Sequence, residues 1–532
     1  MCVAVFLAAA GLNLPWLGHA PLADSTEARH AEIGREFIAY GHWLVPTLDG
    51  RPHLTKPPLT DWLVAAGIKV FARNEFGARF GNALAAALGV ALVAGFGLRL
   101  GGKRTALAAA AFYAVCPLYL GLSRTISIDI LLAALATGAY WAAWELARET
   151  CRHPRRIAVA WAFCLGLGVL AKGHIILLVV LAPTVLWIIL ERQRTLAKRL
   201  AWPPAIALFL VMSLPWYVYI AETFPGWLAL TLTNEFKRRI VGHEYGASYV
   251  GQSVLFLLGG ALPAVPLAAL AWRDCFRKPR CSDHGDLMLL SLWAIVPLVV
   301  FSIPKCQRVN YVAPLAPPLA MLAAMGWNRL AGGCFGGNRC QRIAAYLTAA
   351  IPALGGIGSF VAFIVFSGGV AGMDKSDAAA MMVGAAGAAL AAALCVHYLL
   401  CGRVRQAEVM FALSAGFLWA LSLPLLDAAK APRSSHLMCE WINKNLPPDS
   451  KVGLYRYYMP SCNFYLGRYV ELFKGTIPDD EWQGIWPTPE LASRGAGSWK
   501  DLERLARMDG GIWLVVKESW LHDVEVVLPS GP

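Results

Sequence analysis

Long apolar runs closed by charged turns restrict this 532-residue chain more than any other feature. Segments such as 83–98, 256–272 and 379–400 hold almost no ionisable side chain, and each ends in an Arg-bearing or polar loop. A helix needs about 20 such residues, at ~1.5 Å rise each, to cross a hydrocarbon core. Runs of that kind fall at 1–16, 81–98, 105–122, 128–145, 157–171, 174–190, 202–221, 250–272, 287–303, 309–328, 343–367, 379–400 and 407–425, thirteen in all. The stretch 157–190 is too long for one crossing and is split at Lys172-Gly173-His174. Composition agrees: 57% of residues are hydrophobic and 15% charged, against roughly 25% charged in a soluble domain. The pattern predicts a polytopic α-helical membrane protein.

Charge then assigns sides. Loops carrying Arg99, Arg148, Arg192, Arg273, Arg329 and Arg403 hold twenty basic residues, whereas the alternate short loops hold eight, so the first set is predicted to be cytoplasmic. The same bias accounts for the net charge of +13, which in a soluble chain would suggest nucleic acid. No nucleic-acid partner is expected. Thirteen crossings from a cytoplasmic N-terminus put the loop 17–80 and everything after 426 outside. The chain is therefore divided into a transmembrane domain, 1–426, and an outer domain, 427–532.

Within the outer loop, 32–40 and 60–71 have amphipathic spacing, with Trp43 and Trp62 placed as interfacial anchors. The tail reads as a small α/β unit: 436–445 helical, 451–457 and 469–473 strand-like, 511–517 β-rich. The apolar start reads as a retained span rather than a signal peptide, since it lacks a basic leader and a cleavage site. The thirteen cysteines form no CxxC pair; Cys275 and Cys281 lack the partners of a zinc site. Cys439 and Cys462 both fall in the outer tail, where a disulfide is an open alternative to free thiols.

The unusual ionisable residues gather on the outer side: Asp24, Glu27, Arg29, Lys56, Asp129, Lys172, Glu235, Arg238, Lys305 and Arg308. Acids and fixed cations on one rim of a helical bundle can activate a hydroxyl and hold a phosphate. Solvated loop charges and structural pairing are the plain alternatives for each one. Two segments stand out. Asp24, Glu27, Glu32 and Glu36, with Arg29 and Arg35, directly follow a span, where acids are costly unless paired or bound to a cation. Lys56 is followed by Pro57-Pro58, which forbids helix and presents the ammonium from an extended segment, suited to a phosphate.

Asp24 to Glu36, then Trp43-Leu44-Val45-Pro46, Asp49-Gly50 and Lys56-Pro57-Pro58-Leu59, resemble the N-terminal signature of the polyprenyl-phosphate-dependent glycosyltransferases related to aminoarabinose lipid A transferase and, more distantly, protein O-mannosyltransferases. Three further segments match in order: Ser123-Arg124-Thr125 to Asp129, Gly168 to Gly173 around Lys172, and Phe301 to Pro314 with Lys305, Arg308 and Tyr311. The resemblance implies a GT-C-like fold and transfer of a sugar from an undecaprenyl phosphate donor to an envelope acceptor, lipid A first, at the periplasmic face of the bacterial inner membrane. It implies Asp24 or Glu27 as the catalytic acid group nearest the acceptor, with Asp129 as a partner for a cation or for orientation. Lys56, Arg124, Lys172, Lys305 and Arg308 would neutralise the departing phosphate, with Arg29, Glu235, Arg238 and Tyr311 as further candidates. This chain has Thr26-Glu27 where relatives often carry an Asp-Glu pair, which leaves the choice of acid open. A divalent cation, with Asp24 and Asp129 as candidate ligands, is compatible with this chemistry; His30, His42 and His53 show no ligand spacing. The rival classes are a secondary transporter or lipid flippase, and a non-catalytic envelope scaffold; no matched pair of broken spans in two halves supports the transporter.

Overall fold

The computed structural model describes residues 1–24, 26–233, 251–277, 283–304, 307–331, 339–367, 375–473, 502, 504 and 512–520. The chain forms two compact units: one of residues 1–17, 82–215 and 232–429, the other of 18–81, 216–231 and 430–532.

The first unit is helical. Among the described residues, the apolar runs read from the sequence lie mainly on helix, so the protein is a polytopic helical membrane protein. Among the described residues, eight helices are long and apolar enough to cross a bilayer, nine if the bent pair Gln252–Gly260 and Val265–Arg273 is one broken span. The runs at 81–98 and 105–122 lie largely on one long helical stretch, Glu75–Ala114, interrupted at Gly101-Gly102, where φ of +78° at Gly102 needs a residue without Cβ. The helix Ile128–Ala147 is central: sixteen of its twenty residues are buried, and alanines such as Ala133, Ala136 and Ala143 let neighbours pack close. It is paired with Pro154–Lys172, which starts on a proline and stops at Gly173 with φ +70°. Tyr140 stacks on Trp293 at 4.1 Å and donates its hydroxyl to the Val179 carbonyl at 2.6 Å. At the end bearing the basic loops, Arg99 pairs with Glu145 at 2.6 Å, and Arg199 donates to the Leu146 carbonyl at 2.7 Å.

In the second unit the helix Thr26–Tyr40 packs against Leu59–Phe71. Gly34 makes this approach close: a Cβ there would lie 2.5 Å from a Val64 methyl. The helices expected at 32–40 and 60–71 are present, the first extended back to Thr26, but its polar side is not a solvated face. Glu27, His30, Glu32, Arg35 and Glu36 are buried within the unit. The strands Thr47–Leu48 and Arg51–Pro52 close through Asp49-Gly50, both at positive φ, as a two-residue hairpin turn requires. Trp62 donates its indole N–H to the Trp43 carbonyl at 2.8 Å, and Trp43 stacks on Phe37. From the tail come the helices His436–Asn445 and Pro460–Leu466 and a parallel sheet in which Val452–Tyr455 lies between Glu471–Phe473 and Trp513–Val515.

Candidate active site

The candidate residues fall into two groups, one in each unit. In the first unit, Ser127 caps the helix Ile128–Ala147 by accepting the Asp129 N–H at 3.3 Å. Asn82 fixes the approach to that cap, accepting the Ser127 N–H at 3.0 Å and donating to the carbonyls of Leu122 at 3.0 Å and Thr125 at 2.5 Å. Asp129 is thus delivered, buried, to the same end of the helix pair as Lys172. The Lys172 ammonium pairs with one Asp129 oxygen, and the Asn310 amide donates to the other. The ammonium also lies 4.6 Å from the centre of the Tyr311 ring, a cation–π distance. Asn310 and Tyr311 follow Arg308 at the start of the 3-10 segment Val309–Leu315. Sequence reading had Asp129, Lys172, Arg308 and Tyr311 but missed Asn310 and Asn82, neutral residues whose role comes only from where distant segments meet.

Arg124 is placed differently from a phosphate clamp. It donates to the carbonyls of Leu12 at 3.0 Å and Pro15 at 3.2 Å, and its guanidinium lies 4.5 Å from the Trp419 ring centre. These contacts satisfy carbonyls at the C-terminal end of the helix Cys2–Asn13. Lys305, Glu235 and Arg238 lie outside the described residues.

In the second unit, Asp24 accepts the Ser461 N–H at 2.9 Å and the Ser461 hydroxyl at 2.7 Å. Burial pushes its carboxyl up to about 6 although the Ser461 hydrogen bonds pull the other way. Glu27 has the opposite balance. Burial would raise it, but Arg79 at 2.8 Å and Lys430 at 3.2 Å hold it at about 2. Arg79 is further fixed by the carbonyls of Ala20 at 2.6 Å and Pro21 at 2.9 Å. Arg29 is half-buried on the same helix as Glu27. Lys56 is half-buried in the segment before the helix Leu59–Phe71; two residues earlier, the Leu54 carbonyl accepts the Trp227 indole N–H at 3.2 Å.

Glu32, Glu36 and Asp49 form a cluster that the sequence did not bring together: the first two stood in the acidic segment and Asp49 in the Asp49-Gly50 step. One oxygen from each lies within 4.8 Å of the others, and all three side chains are buried. Arg35 forks onto Glu32 with two bonds of 2.7 Å; Glu36 accepts the Gly50 N–H at 3.0 Å. Burial raises all three carboxyls, Asp49 to about 7. Shared protons or a cation would relieve such a cluster, so these three carboxylates are the described residues placed to hold a metal ion. Asp24 and Asp129, the ligands considered from sequence, fall in different units, one held by Ser461 and the other by Lys172 and Asn310. His30, paired with Asp61 at 2.5 Å, is a structural contact that sequence reading did not find.

Residues 15–230 match the dolichyl-phosphate-mannose-protein mannosyltransferase family. Over 310 residues the chain is 31% identical to an undecaprenyl phosphate-alpha-4-amino-4-deoxy-L-arabinose arabinosyl transferase of Edwardsiella ictaluri, 58% of this chain and 55% of that one. A protein of the same name from Erwinia tasmaniensis is 29% identical over 311 residues, with the same coverage. The matched region thus spans about half the length of these curated relatives. The crystal structure of ArnT from Cupriavidus metallidurans bound to undecaprenyl phosphate superposes with a TM-score of 0.80 at 21% identity, covering 98% of this chain and 94% of that one. Its apo form gives 0.76. The fold is that of these two structures, a polytopic helical membrane protein. Over the matched residues the chain is similar to undecaprenyl-phosphate-dependent arabinosyl transferases and to the dolichyl-phosphate-mannose-protein mannosyltransferase family.

Proposed function

We propose that this protein moves a sugar, aminoarabinose first among the candidates, from undecaprenyl phosphate to lipid A at the periplasmic face of the inner membrane, through a bundle of thirteen crossings with an outer C-terminal domain. The observation that carries the reading is the buried Asp129–Lys172–Asn310 cluster, located at the helix ends opposite the Arg-rich loops. Buried charge in a membrane bundle is expensive and is kept where it acts on a ligand or a counter-ion. Residues 15–230, the span of the family match, contain Asp129 and Lys172 together with Asp24 and Lys56.

The reaction is assigned as a direct displacement. The acceptor hydroxyl oxygen forms a bond to the anomeric carbon as the bond from that carbon to the phosphate oxygen breaks, and the polyprenyl phosphate leaves with the bonding pair. Lys172, Arg308 and Lys305, with Lys56, are assigned to the phosphate charge, which a low-dielectric site makes worth more per contact. Asp129 is assigned as the positioning residue for Lys172. For the hydroxyl proton, Asp24 is the better-matched base, since a carboxyl near 6 accepts a proton more readily than Glu27 held at about 2.

Mass spectrometry of envelope lipids tests this in a deletion strain carrying the wild-type chain, Lys172→Met, Lys56→Ala, Asp24→Asn or Glu27→Gln at matched membrane abundance. A sugar mass on lipid A that is restored by wild type and lost in Lys172→Met and Asp24→Asn supports the reading. An unchanged lipid A in every strain overturns the acceptor, and absence of any accumulated polyprenyl-linked sugar overturns the transferase.

A further inference from the structure

We propose that Cys439 and Cys462 are joined by a disulfide that locks the two tail helices behind Asp24. The inference rests on the outer-face placement of the tail proposed above. Cys439 lies in the helix His436–Asn445 and Cys462 in Pro460–Leu466; both side chains are fully buried, with their sulfurs 3.5 Å apart. A disulfide needs the sulfurs at about 2.05 Å, an approach of roughly 1.5 Å that side-chain rotation can supply between packed helices. The surrounding core, Ile442, Val452, Leu454, Val470 and Leu472, is apolar and packs around both sulfurs. Residues 17–80 and 427–532 contain no other cysteine, so the pair has no competing partner within those segments.

The chemistry balances with an oxidised dithiol carrier of the kind found in oxidising compartments. One thiolate attacks the carrier disulfide and releases a carrier thiolate. The second tail thiolate then displaces the other carrier sulfur, leaving the tail disulfide and a reduced carrier.

The consequence reaches Asp24. The hydroxyls of Ser435 and Ser461 are bonded at 2.6 Å, and Ser461, adjacent to Cys462, supplies both hydrogen bonds to the Asp24 carboxylate. Tying the starts of the two helices together therefore fixes the serine pair that holds the acid.

The test uses the full chain from membranes lysed in N-ethylmaleimide without reductant. The expected result is a Cys439–Cys462 peptide pair two hydrogens lighter than the sum of its parts, with neither sulfur labelled until reductant is added. Reductant should lower the Tm of the wild type by several degrees and leave the Cys439→Ala/Cys462→Ala double variant unmoved. A compartment reporter fused after Pro532 separates the two failures. Labelled cysteines in a chain whose tail lies outside the cytoplasm overturn the disulfide; labelled cysteines with the tail inside overturn the outer placement and the inference with it.

Discussion

Glu27→Gln offers a measurable check on the electrostatics of the second unit. The Glu27 carboxyl is 5% exposed and is held at about 2, against an ordinary value of 4.5, with Arg79 and Lys430 as its partners. A depression of that size corresponds to about 3 kcal/mol of folded-state stabilisation at neutral pH. Removing one member of a buried pair gives a similar figure, ~3–5 kcal/mol, toward the low end here because Arg79 keeps the carbonyls of Ala20 and Pro21. Glu27→Gln should therefore lower Tm by about 5–10 °C for a cooperative unit of roughly 200 residues. The sign with pH follows from the depressed value: the contribution is complete above 4.5 and disappears as pH falls toward 2, so wild type and variant should converge in that window. Thermal unfolding of the detergent-purified full chain from pH 2 to 8 reads both effects. Arg79→Gln should cost a comparable amount, and the double variant less than the sum. A Glu27→Gln protein as stable as wild type at pH 7, or one that keeps the wild-type acid slope, would refute the argument.

Asp129→Asn should leave Lys172 buried without its counter-charge and cost about 3–5 kcal/mol, while Asp129→Asn/Lys172→Met should recover most of that loss without recovering transfer; unfolding and lipid analysis on the same variants check this. Asp49, raised to about 7, makes the fold less stable as pH rises from about 4 to 7, so Asp49→Asn should flatten that slope and gain ~1–2 kcal/mol at pH 8; asparagine also suits the positive φ of 56° there. Added divalent cation should raise the Tm of wild type but not of Asp49→Asn if Glu32, Glu36 and Asp49 hold a metal ion, and an equal shift in both would remove that assignment. Gly34→Ala should cost ~1–3 kcal/mol by pressing its methyl into Val64, read as a Tm drop at full expression.

Helix positions were legible because their physics is local and repetitive. Apolar length alone marks a helix that can satisfy its backbone within a bilayer, and Pro154, Gly173 and Ser127 punctuate the chain by rules spanning a few residues. The sequence also singled out Asp129 and Lys172 as unusual, because charge at the end of an apolar run needs a reason. It could not show that they pair, or that Asn310 completes the pair from 181 positions away. Nor could it show that the polar side of 32–40 is buried. Periodicity separates apolar from polar faces, but only tertiary packing decides whether a polar face meets water or buried partners.

The same division separates the two acids that the sequence left open. Asp24 and Glu27 are three residues apart and chemically alike, yet one is raised by burial against Ser461 and the other lowered by Arg79 and Lys430. Proton affinity is set by charges and hydrogen-bond donors within a few ångströms, and at this site they arrive from segments more than 50 and 400 positions away. The sequence by itself determined the membrane class and where most of the helices run. The tertiary structure alone decided which ionisable residues are paired, which are raised or lowered, and which two thiols lie close enough to join.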